Sequence, residues 1–279
     1  MQTDQTAAHY TRLHSLETPA SRLIRDAIWG RESDIGQQSF ITPRYLDDLV
    51  ARLRIDSTMR ILDLGCGVGG PAVYLAETSG AHVSGVDLVE KGVEVARDHA
   101  AGAGLSNRTD FRVGDALDMP FGDTVFDVVM SLNVMNVFAD KVAVFNEVRR
   151  TLRPDGVLAM LSGTFDVALD PESRRLLTRD GTVPIHFDSI EGYREKIEAA
   201  GFVIQEVTEY VEDFRIQIRR WRDAYRTHAD AIAAEQGEQR VRLHHGYFDT
   251  YLRLVDAGRA SNHLVLATSD SSEKTRSRL

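Results

Sequence analysis

The chain has 279 residues, of which 43% are hydrophobic, so it can bury a sizeable core. Its formal net charge of −9 disfavours a nucleic-acid partner, because an acidic surface repels the phosphate backbone. The one cysteine excludes an internal disulfide, and neither a signal peptide nor a long apolar run is apparent. We therefore expect a cytoplasmic globular protein without a nucleic-acid or membrane partner, either alone or as an oligomer.

Two helices are predicted before the first strand. Apolar residues recur at helical spacing from Ala20, and this pattern ends at Gly30. A second helical pattern begins after Thr42, which suits a helix start. We expect residues 1–55 to form a helical lid, with residues 1 to about 20 poorly ordered.

From Arg60 onward, apolar runs alternate with helical patterns. The apolar runs are continuous, as in parallel strands that are buried on both faces. The predicted strands are 60–64, 82–86, 109–113, 125–131, 157–162, 202–208 and 262–268, and the predicted helices are about 71–79, 90–103, 138–152 and 190–200. We expect an α/β fold with a doubly wound, seven-stranded, Rossmann-like sheet over residues 56–209 and 260–268.

About fifty residues separate the last two strands, which is too many for a hairpin. Two stripes at helical spacing predict two inserted helices over residues 210–259. Most of their side chains are expected to pack on the core. An insertion beside the carboxyl ends of the strands also forms a cap over the crevice in which α/β sheets bind ligands. The polar tail, residues 269–279, is predicted to be disordered.

The segment from Arg60 to Pro71 predicts a strand, a glycine turn and a helix start. The spacing of its glycines fits the dinucleotide-binding fingerprint. Asp87, about twenty residues further on, is placed to accept ribose hydroxyls. A nucleoside is therefore predicted. Asp63, just before the turn, would repel the pyrophosphate of NAD, but it suits the ammonium and sulfonium of S-adenosylmethionine.

Four segments in this order resemble the motifs of class I S-adenosylmethionine-dependent methyltransferases: 61–70, 114–121, 126–131 and 152–158. Outside this core, residues 28–36, the 185–189 segment and the insertion resemble bacterial glycine, sarcosine and dimethylglycine N-methyltransferases. The resemblance spans roughly residues 20–268. Methyltransferases that act on sugars, phosphoethanolamine and prenyl diphosphates share much of this pattern, so it implies the methyl donor more firmly than the acceptor.

The resemblance and the residue chemistry together imply a set of cofactor-binding residues. Asp63 would sit near the donor's ammonium, Asp115 and Ala116 would read the adenine, and Asn133 would face the methionyl group. Asp115 could instead cap a turn, and the best interpretation of Cys66 is a small packing residue. The predicted set is Trp29, Asp63, Gly65, Cys66, Gly67, Asp87, Leu88, Asp115, Ala116, Leu132 and Asn133.

Two departures from the N-methyltransferase pattern bear on the acceptor. The segment from Asp34 to Phe40 differs from the usual one, and Ser131 is followed by Leu132 and Asn133 where a glutamine and an acid are typical. A betaine-synthesis enzyme is therefore not expected. A bulkier, less polar substrate is predicted, bound by Gln38, Trp221, Tyr225, Tyr247 and Tyr251.

Methyl transfer from a sulfonium depends mainly on orienting the acceptor atom in line. A base helps only an acceptor that must lose a proton, and the candidates are His186 and His245. No metal site is predicted. We expect N-methylation of a small secondary metabolite, with O-methylation second and C-methylation third. Alternatives of other classes are a nicotinamide-dependent oxidoreductase and a methyltransferase-like binding protein without activity.

Overall fold

The computed structural model describes residues 10–11, 18–166, 168–178 and 185–269. The predicted poor order of the N-terminus and disorder of the tail fall mainly on residues outside these ranges. None of the helices within them is long and apolar enough to cross a membrane.

The described elements alternate as the sequence predicts. The strands are β1 (Arg60–Leu64), β2 (His82–Asp87), β3 (Thr109–Val113), β4 (Phe126–Leu132), β5 (Leu152–Phe165), β6 (Val203–Glu209) and β7 (Ala260–Thr268). The helices are α1 (Pro19–Ser33), α2 (Pro43–Leu53), α3 (Gly70–Ser79), α4 (Glu90–Gly102), α5 (Lys141–Thr151), α6 (Pro171–Leu177), α7 (Ile190–Ala199), α8 (Val211–Thr227), α9 (Ala229–Gln236) and α10 (Glu238–Asp256).

The seven strands form one sheet in the order β3-β2-β1-β4-β5-β7-β6. The pairings from β3 through β5 are parallel, whereas β7 runs antiparallel to both β5 and β6. The predicted seven-stranded, doubly wound sheet is confirmed. The strand order reverses beside β1, which leaves a crevice at the carboxyl ends of β1 and β4.

Both faces of the sheet are covered by helices. Ile61 and Val128 belong to the core that packs against α2, α3 and α4, while their neighbours Leu62 and Val129 belong to the core against α5 and α7. Successive side chains of a strand point to opposite faces, so a strand buried on both sides must be apolar throughout. This explains why the strands lack polar alternation, and β4 is buried along its whole length.

Three elements differ from the prediction. Strand β5 is longer, because β7 pairs with it as far as Phe165. Helix α5 begins at Lys141, after a short 3₁₀ turn (Met135–Val137), and Asp140 caps it by accepting from the Ala143 N–H at 3.0 Å. Helix α6 was not predicted, and Asp170 caps it in the same way.

The insertion contains three described helices where two were predicted. The two predicted stripes form α8 and α10. Helix α9 lies between them, after His228 and before Gly237, which adopts a φ of 84°. Helices α8 and α10 pack on each other and on Phe165 at the end of β5. Helix α1 packs on the same insertion. The lid and the insertion thus share a border beside the crevice.

Candidate functional site

The turn after β1 closes tightly against β2. The N–H groups of Gly65 and Cys66 both donate to the carbonyl of Val86, at 2.9 and 3.1 Å. Gly65 has a φ of 74°, and a Cβ there would lie 2.6 Å from Cγ2 of Val134. Only glycine satisfies both the backbone conformation and the space at this position. The turn therefore presents bare backbone to the crevice.

Asp87, at the end of β2, is tied to this turn. One carboxylate oxygen accepts from the Gly67 N–H and the other from the Val89 N–H, both at 2.9 Å. An ionised carboxylate offers about four lone-pair positions, so further hydrogen bonds can be accepted from a ligand. Asp87 is thus positioned by the backbone and retains capacity for hydroxyl donors.

Asp63 is a buried acid at the end of β1. It is only 2% exposed, and its Oδ2 atom finds no hydrogen-bond partner among the described residues. Burial, and secondly the charge of Asp87, raise the pKa of Asp63 to about 7. A buried carboxylate without a partner is unfavourable unless a cation approaches it. The site therefore fits a ligand that carries a positive charge.

A cavity of about 450 Å³ lies at the carboxyl ends of the strands. The structure brings most of the predicted cofactor-binding residues together in its wall, with one predicted substrate residue and one predicted base. These residues are Gln38, Asp63, Gly65, Cys66, Gly67, Asp87, Leu88, Asp115, Ala116, Leu132, Asn133 and His186.

Asn133 follows β4 in a left-handed conformation with a φ of 59°. Asparagine adopts this region more readily than most side chains. Its backbone N–H donates to the carbonyl of Leu161 at 2.7 Å, which fixes the residue at the edge of β5. Its Nδ2 atom is buried and has no hydrogen-bond partner within the described part of the chain. Asn133 thus presents a buried donor at the cavity wall.

Asp115 and Cys66 each had two possible roles on sequence grounds, and their contacts in the structure bear on both. Asp115 accepts from the Leu117 N–H at 3.0 Å, as a turn cap does, and it also lines the cavity. Cys66 packs on β2, where a Cβ on Gly85 would lie 2.8 Å from its Sγ atom. Burial raises the pKa of the Cys66 thiol well above its usual value, which disfavours a thiolate nucleophile.

His186 lies in the loop before α7 and lines the large cavity. Its backbone N–H donates to the carbonyl of Asn136 at 2.7 Å, and its own carbonyl accepts from Nζ of Lys141 at 3.0 Å. Burial, and secondly the charge of Lys141, lower the pKa of His186 below its usual 6.5. The imidazole is therefore neutral near pH 7, as a general base requires.

Sequence reasoning missed the ion pair behind this loop. Lys141 is 1% exposed, and its Nζ atom lies 2.9 Å from a carboxylate oxygen of Asp188. Lys196 contacts the other oxygen of Asp188 at 2.7 Å. A lysine at a helix start normally indicates a solvated surface, so the burial of Lys141 could not be predicted from its position in the sequence.

A second cavity of about 130 Å³ adjoins the first and shares Gln38, Ser39, Asn133 and Val137 with it. Four of the five predicted substrate-binding residues line it. They are Gln38, Trp221, Tyr247 and Tyr251. Further rings come from the segment before α2 and from the insertion, namely Phe40, Phe214 and Phe248.

Three predicted residues line neither cavity. Trp29 packs edge to face on Trp221 with ring centroids 5.1 Å apart, so it buttresses the wall of the small cavity from behind. Tyr225 stacks on Trp221 at 6.2 Å, away from the opening. Nε2 of His245 lies 3.5 Å from the carbonyl oxygen of Tyr225. The structure thus places Trp29 apart from the other predicted cofactor-binding residues and His245 apart from His186.

The segment from Ile35 to Ser39, which we call the strap, crosses the start of α3. Gln37 holds it in place by accepting from the Ile35 N–H at 2.9 Å and donating to the Ser33 carbonyl at 3.0 Å. A Cβ on Gly70 would lie 2.7 Å from the carbonyl carbon of Gly36. Close packing on a bare helix start therefore places the strap over the cavity.

The chain is similar to known methyltransferases. The profile of a family described as a methyltransferase domain matches residues 55–201. The chain is 32% identical over 189 residues to methyltransferase GfsG of Streptomyces halstedii, covering 67% of this chain and 68% of that protein. It is 36% identical over 137 residues to the 27-O-demethylrifamycin SV methyltransferase of Amycolatopsis mediterranei, covering 49% of this chain and 50% of that protein.

A solved structure shows the same fold. It is a protein assigned as a sarcosine dimethylglycine methyltransferase from Galdieria sulphuraria, with a TM-score of 0.76 at 18% identity, covering 91% of this chain and 98% of that one. The family profile matches more than half of the chain, and the predicted sheet and glycine turn lie within the match. The chain therefore belongs to the class I S-adenosylmethionine-dependent methyltransferases.

Proposed function

We propose that this enzyme methylates a hydroxyl oxygen of a small molecule, with His186 as the general base. Bound S-adenosylmethionine supplies an activated methyl group on a sulfonium. His186 takes the hydroxyl proton as the oxygen forms its bond to the methyl carbon and the carbon–sulfur bond breaks. The observation that carries this proposal is the position of His186 in the wall of the cavity that Asp63 and Asp87 also line, and the lowered pKa of His186 favours its neutral form.

The donor would be held by residues of the large cavity. Asp63 faces its ammonium, because a buried, unpaired carboxylate oxygen favours a cation. Asp87 accepts the ribose hydroxyls, and the bare turn at Gly65 and Gly67 allows close approach of the donor. The exposed Asp115 with Ala116 would read the adenine. The nicotinamide alternative has lost its support, because the matching family consists of methyltransferase domains.

Nitrogen is the second candidate acceptor. It is supported by the resemblance of residues 28–36 and the 185–189 segment to amine methyltransferases. An amine needs only its neutral form, so a base beside the cavity gives it little advantage. The name of the Amycolatopsis relative refers to a 27-O-demethyl substrate, which agrees with oxygen. A role in secondary metabolism and a cytoplasmic location stay predictions.

The test is the pH dependence of turnover in histidine variants. With hydroxylated acceptors, His186→Ala should reduce S-adenosylhomocysteine formation by about 10²–10⁴-fold, while donor affinity in calorimetry stays unchanged. The rate of the wild-type enzyme should fall only below about pH 6.5, because the pKa of His186 is lowered. His245→Ala is the matched control and should retain turnover. Amine turnover that survives His186→Ala and follows the amine's own ionisation would favour nitrogen.

A further inference from the structure

Among the described residues, the walls of the two cavities contain carboxylates but no lysine or arginine. No described residue that lines the small cavity is an Asp, Glu, Lys, Arg or His. The described wall of the large cavity adds the carboxylates of Asp63, Asp87, Asp115 and Asp140 and the neutral His186. A carboxylate or phosphate on the acceptor would lose its water there without gaining a cationic side chain from the described walls. These walls therefore disfavour an anionic acceptor.

The small cavity suits one flat, apolar part of a molecule. Its volume of about 130 Å³ is below the range of about 300–1,000 Å³ that is usual for a whole ligand. Phe40 packs edge to face on Phe214 and Tyr251, with centroids 5.3 and 5.9 Å apart. Such rings favour another ring by edge and offset contacts.

Two amide side chains stand at the junction of the cavities and line both of them. Oε1 of Gln38 is buried and lacks a donor, and Nδ2 of Asn133 is buried and lacks an acceptor, counting every described residue. A hydroxyl both donates and accepts a hydrogen bond, so one hydroxyl can satisfy both atoms.

We infer that the acceptor is an uncharged, hydroxylated ring compound. Its ring lies in the small cavity, an anchoring hydroxyl lies between Gln38 and Asn133, and the reacting oxygen points towards the large cavity. The inference rests on the proposed function, because it names the substrate class of the same site. It separates this chain from methyltransferases whose acceptors carry a carboxylate or a diphosphate.

The first experiment measures binding without methyl transfer. The chain contains two tryptophans. Trp221 lines the small cavity and Trp29 packs on it from behind, so tryptophan fluorescence reports occupancy of the cavity. The protein is loaded with S-adenosylhomocysteine and titrated with matched pairs of a hydroxylated ring ester and its free acid, beginning with methyl gallate and gallate. The uncharged members should give a saturable change and bind at least tenfold more tightly than the acids.

Variants then test the anchoring amides. Gln38→Leu and Asn133→Gly should each weaken ester binding by about tenfold, since each leaves a buried hydrogen bond unmade. Glycine tolerates the left-handed backbone at position 133, so Asn133→Gly should not strain the turn. Gln205→Leu is the matched control, because Gln205 bonds to Thr268 and lines neither cavity.

The outcomes separate the inference from the proposed function. Acids that bind as tightly as their esters, or esters that give no saturable change, would overturn the inference. Turnover on an anionic acceptor would also overturn it while supporting the proposed function. Esters that bind in the expected order without forming S-adenosylhomocysteine in the presence of S-adenosylmethionine would support the inference and contradict the proposed function.

Discussion

At the scale of single residues, burial decides the chemistry of Asp63. The folded state raises its pKa from 3.8 to about 7, so the folded protein holds a proton that the unfolded chain releases. Between these two values the folded state binds more protons, and linkage then requires stability to fall as pH rises. Above about pH 7 both states are ionised and the loss is complete.

The donor-free protein should therefore lose about 2–3 kcal/mol of unfolding free energy between pH 5 and pH 8 through this one group. Asp63→Asn removes the titration, so its loss over the same range should be smaller by that amount. Urea denaturation at several pH values measures the difference. The exposed Asp98 provides the control, since Asp98→Asn makes the same change of side chain away from both cavities. Parallel profiles for Asp63→Asn and wild type would contradict the prediction.

Asp87 should carry much of the donor affinity. Hydrogen bonds to a charged group contribute about 1.5–3 kcal/mol each, so Asp87→Ala should weaken S-adenosylhomocysteine binding by tenfold or more. Loss of the bond from Gly67 also frees the glycine turn. Calorimetry measures the affinity, and Asp98→Ala is the control of equal charge change. Unchanged affinity in Asp87→Ala would count against the placement of the nucleoside.

Several predicted residues that line the large cavity share one property. Asp63, Gly65 and Asp87 have roles set by backbone geometry at fixed distances along the chain, so their spacing is informative. The burial of Lys141 and of the Oε1 atom of Gln38, which has no donor among the described residues, depends on packing between distant segments. No local spacing in the sequence encodes such packing. The position of Trp29 behind the wall of the small cavity likewise depends on packing against the distant Trp221.

At the scale of elements, α3 and the strap depend on the absence of a side chain at Gly70. A Cβ there would overlap the backbone of Ile35 and Gly36, which cannot move aside as a side chain tip does. Gly70→Ala should therefore displace the strap and weaken both donor and acceptor binding. Gly102→Ala is the matched control in α4, where a Cβ meets nothing within 4 Å, and it should be neutral or slightly stabilising. Calorimetry and thermal unfolding of both variants measure the contrast.

The buried pair of Lys141 and Asp188 should hold the His186 loop. Removing Lys141 loses charge-assisted hydrogen bonds to Asp188 and to the His186 carbonyl, at a cost of about 1.5–3 kcal/mol, while Lys196 still pairs with Asp188. Lys141→Met should therefore lower the unfolding free energy by that amount and reduce turnover more than donor affinity. The exposed pair of Lys91 and Glu94, 3.0 Å apart, offers the control. Lys91→Met should cost at most about 1 kcal/mol in the same denaturation experiment.

The sequence predicts secondary-structure elements best where an apolar run or a helical pattern is uninterrupted. The continuous runs of β1 and β4 left little alternative to buried parallel strands. The extension of β5 to Phe165 depends on pairing with β7, a hundred residues away, which propensity does not encode. Helix α9 was not predicted, because it lies between the two stripes, and an isolated glycine such as Gly237 does not by itself identify a helix end.

At the scale of the whole molecule, the N-terminal helix and the insertion form one packed cluster. The N–H of Ala20 donates to the carboxylate of Glu235 at 3.0 Å, and Trp29 packs on Trp221. Trp29, Ala20 and Ile232 share one apolar core. The sequence predicted a lid and a cap as separate additions, and their contact could not be foreseen because it joins segments two hundred residues apart.

This contact should transmit changes in α1 to acceptor binding. An edge-to-face aromatic pair contributes about 0.5–1.5 kcal/mol beyond its buried area, so Trp29→Ala and Trp221→Ala should be non-additive by that amount in a double-mutant cycle of unfolding free energies. Trp29→Ala should also raise the acceptor KM, although Trp29 lines neither cavity, because it removes the support behind Trp221. Donor affinity should change less than the acceptor KM in both variants.

The pair of Phe121 and Phe126 provides the control for this cycle. Its rings meet edge to face at the same centroid distance of 5.1 Å, but it lies in the core on the opposite side of the sheet from α2. Phe121→Ala should lower the unfolding free energy, but it should not raise the acceptor KM more than it weakens donor binding. If the two tryptophan variants were additive, or if they weakened donor binding first, the lid and the insertion would act independently. The support of Trp221 by Trp29 would then not contribute to the shape of the small cavity.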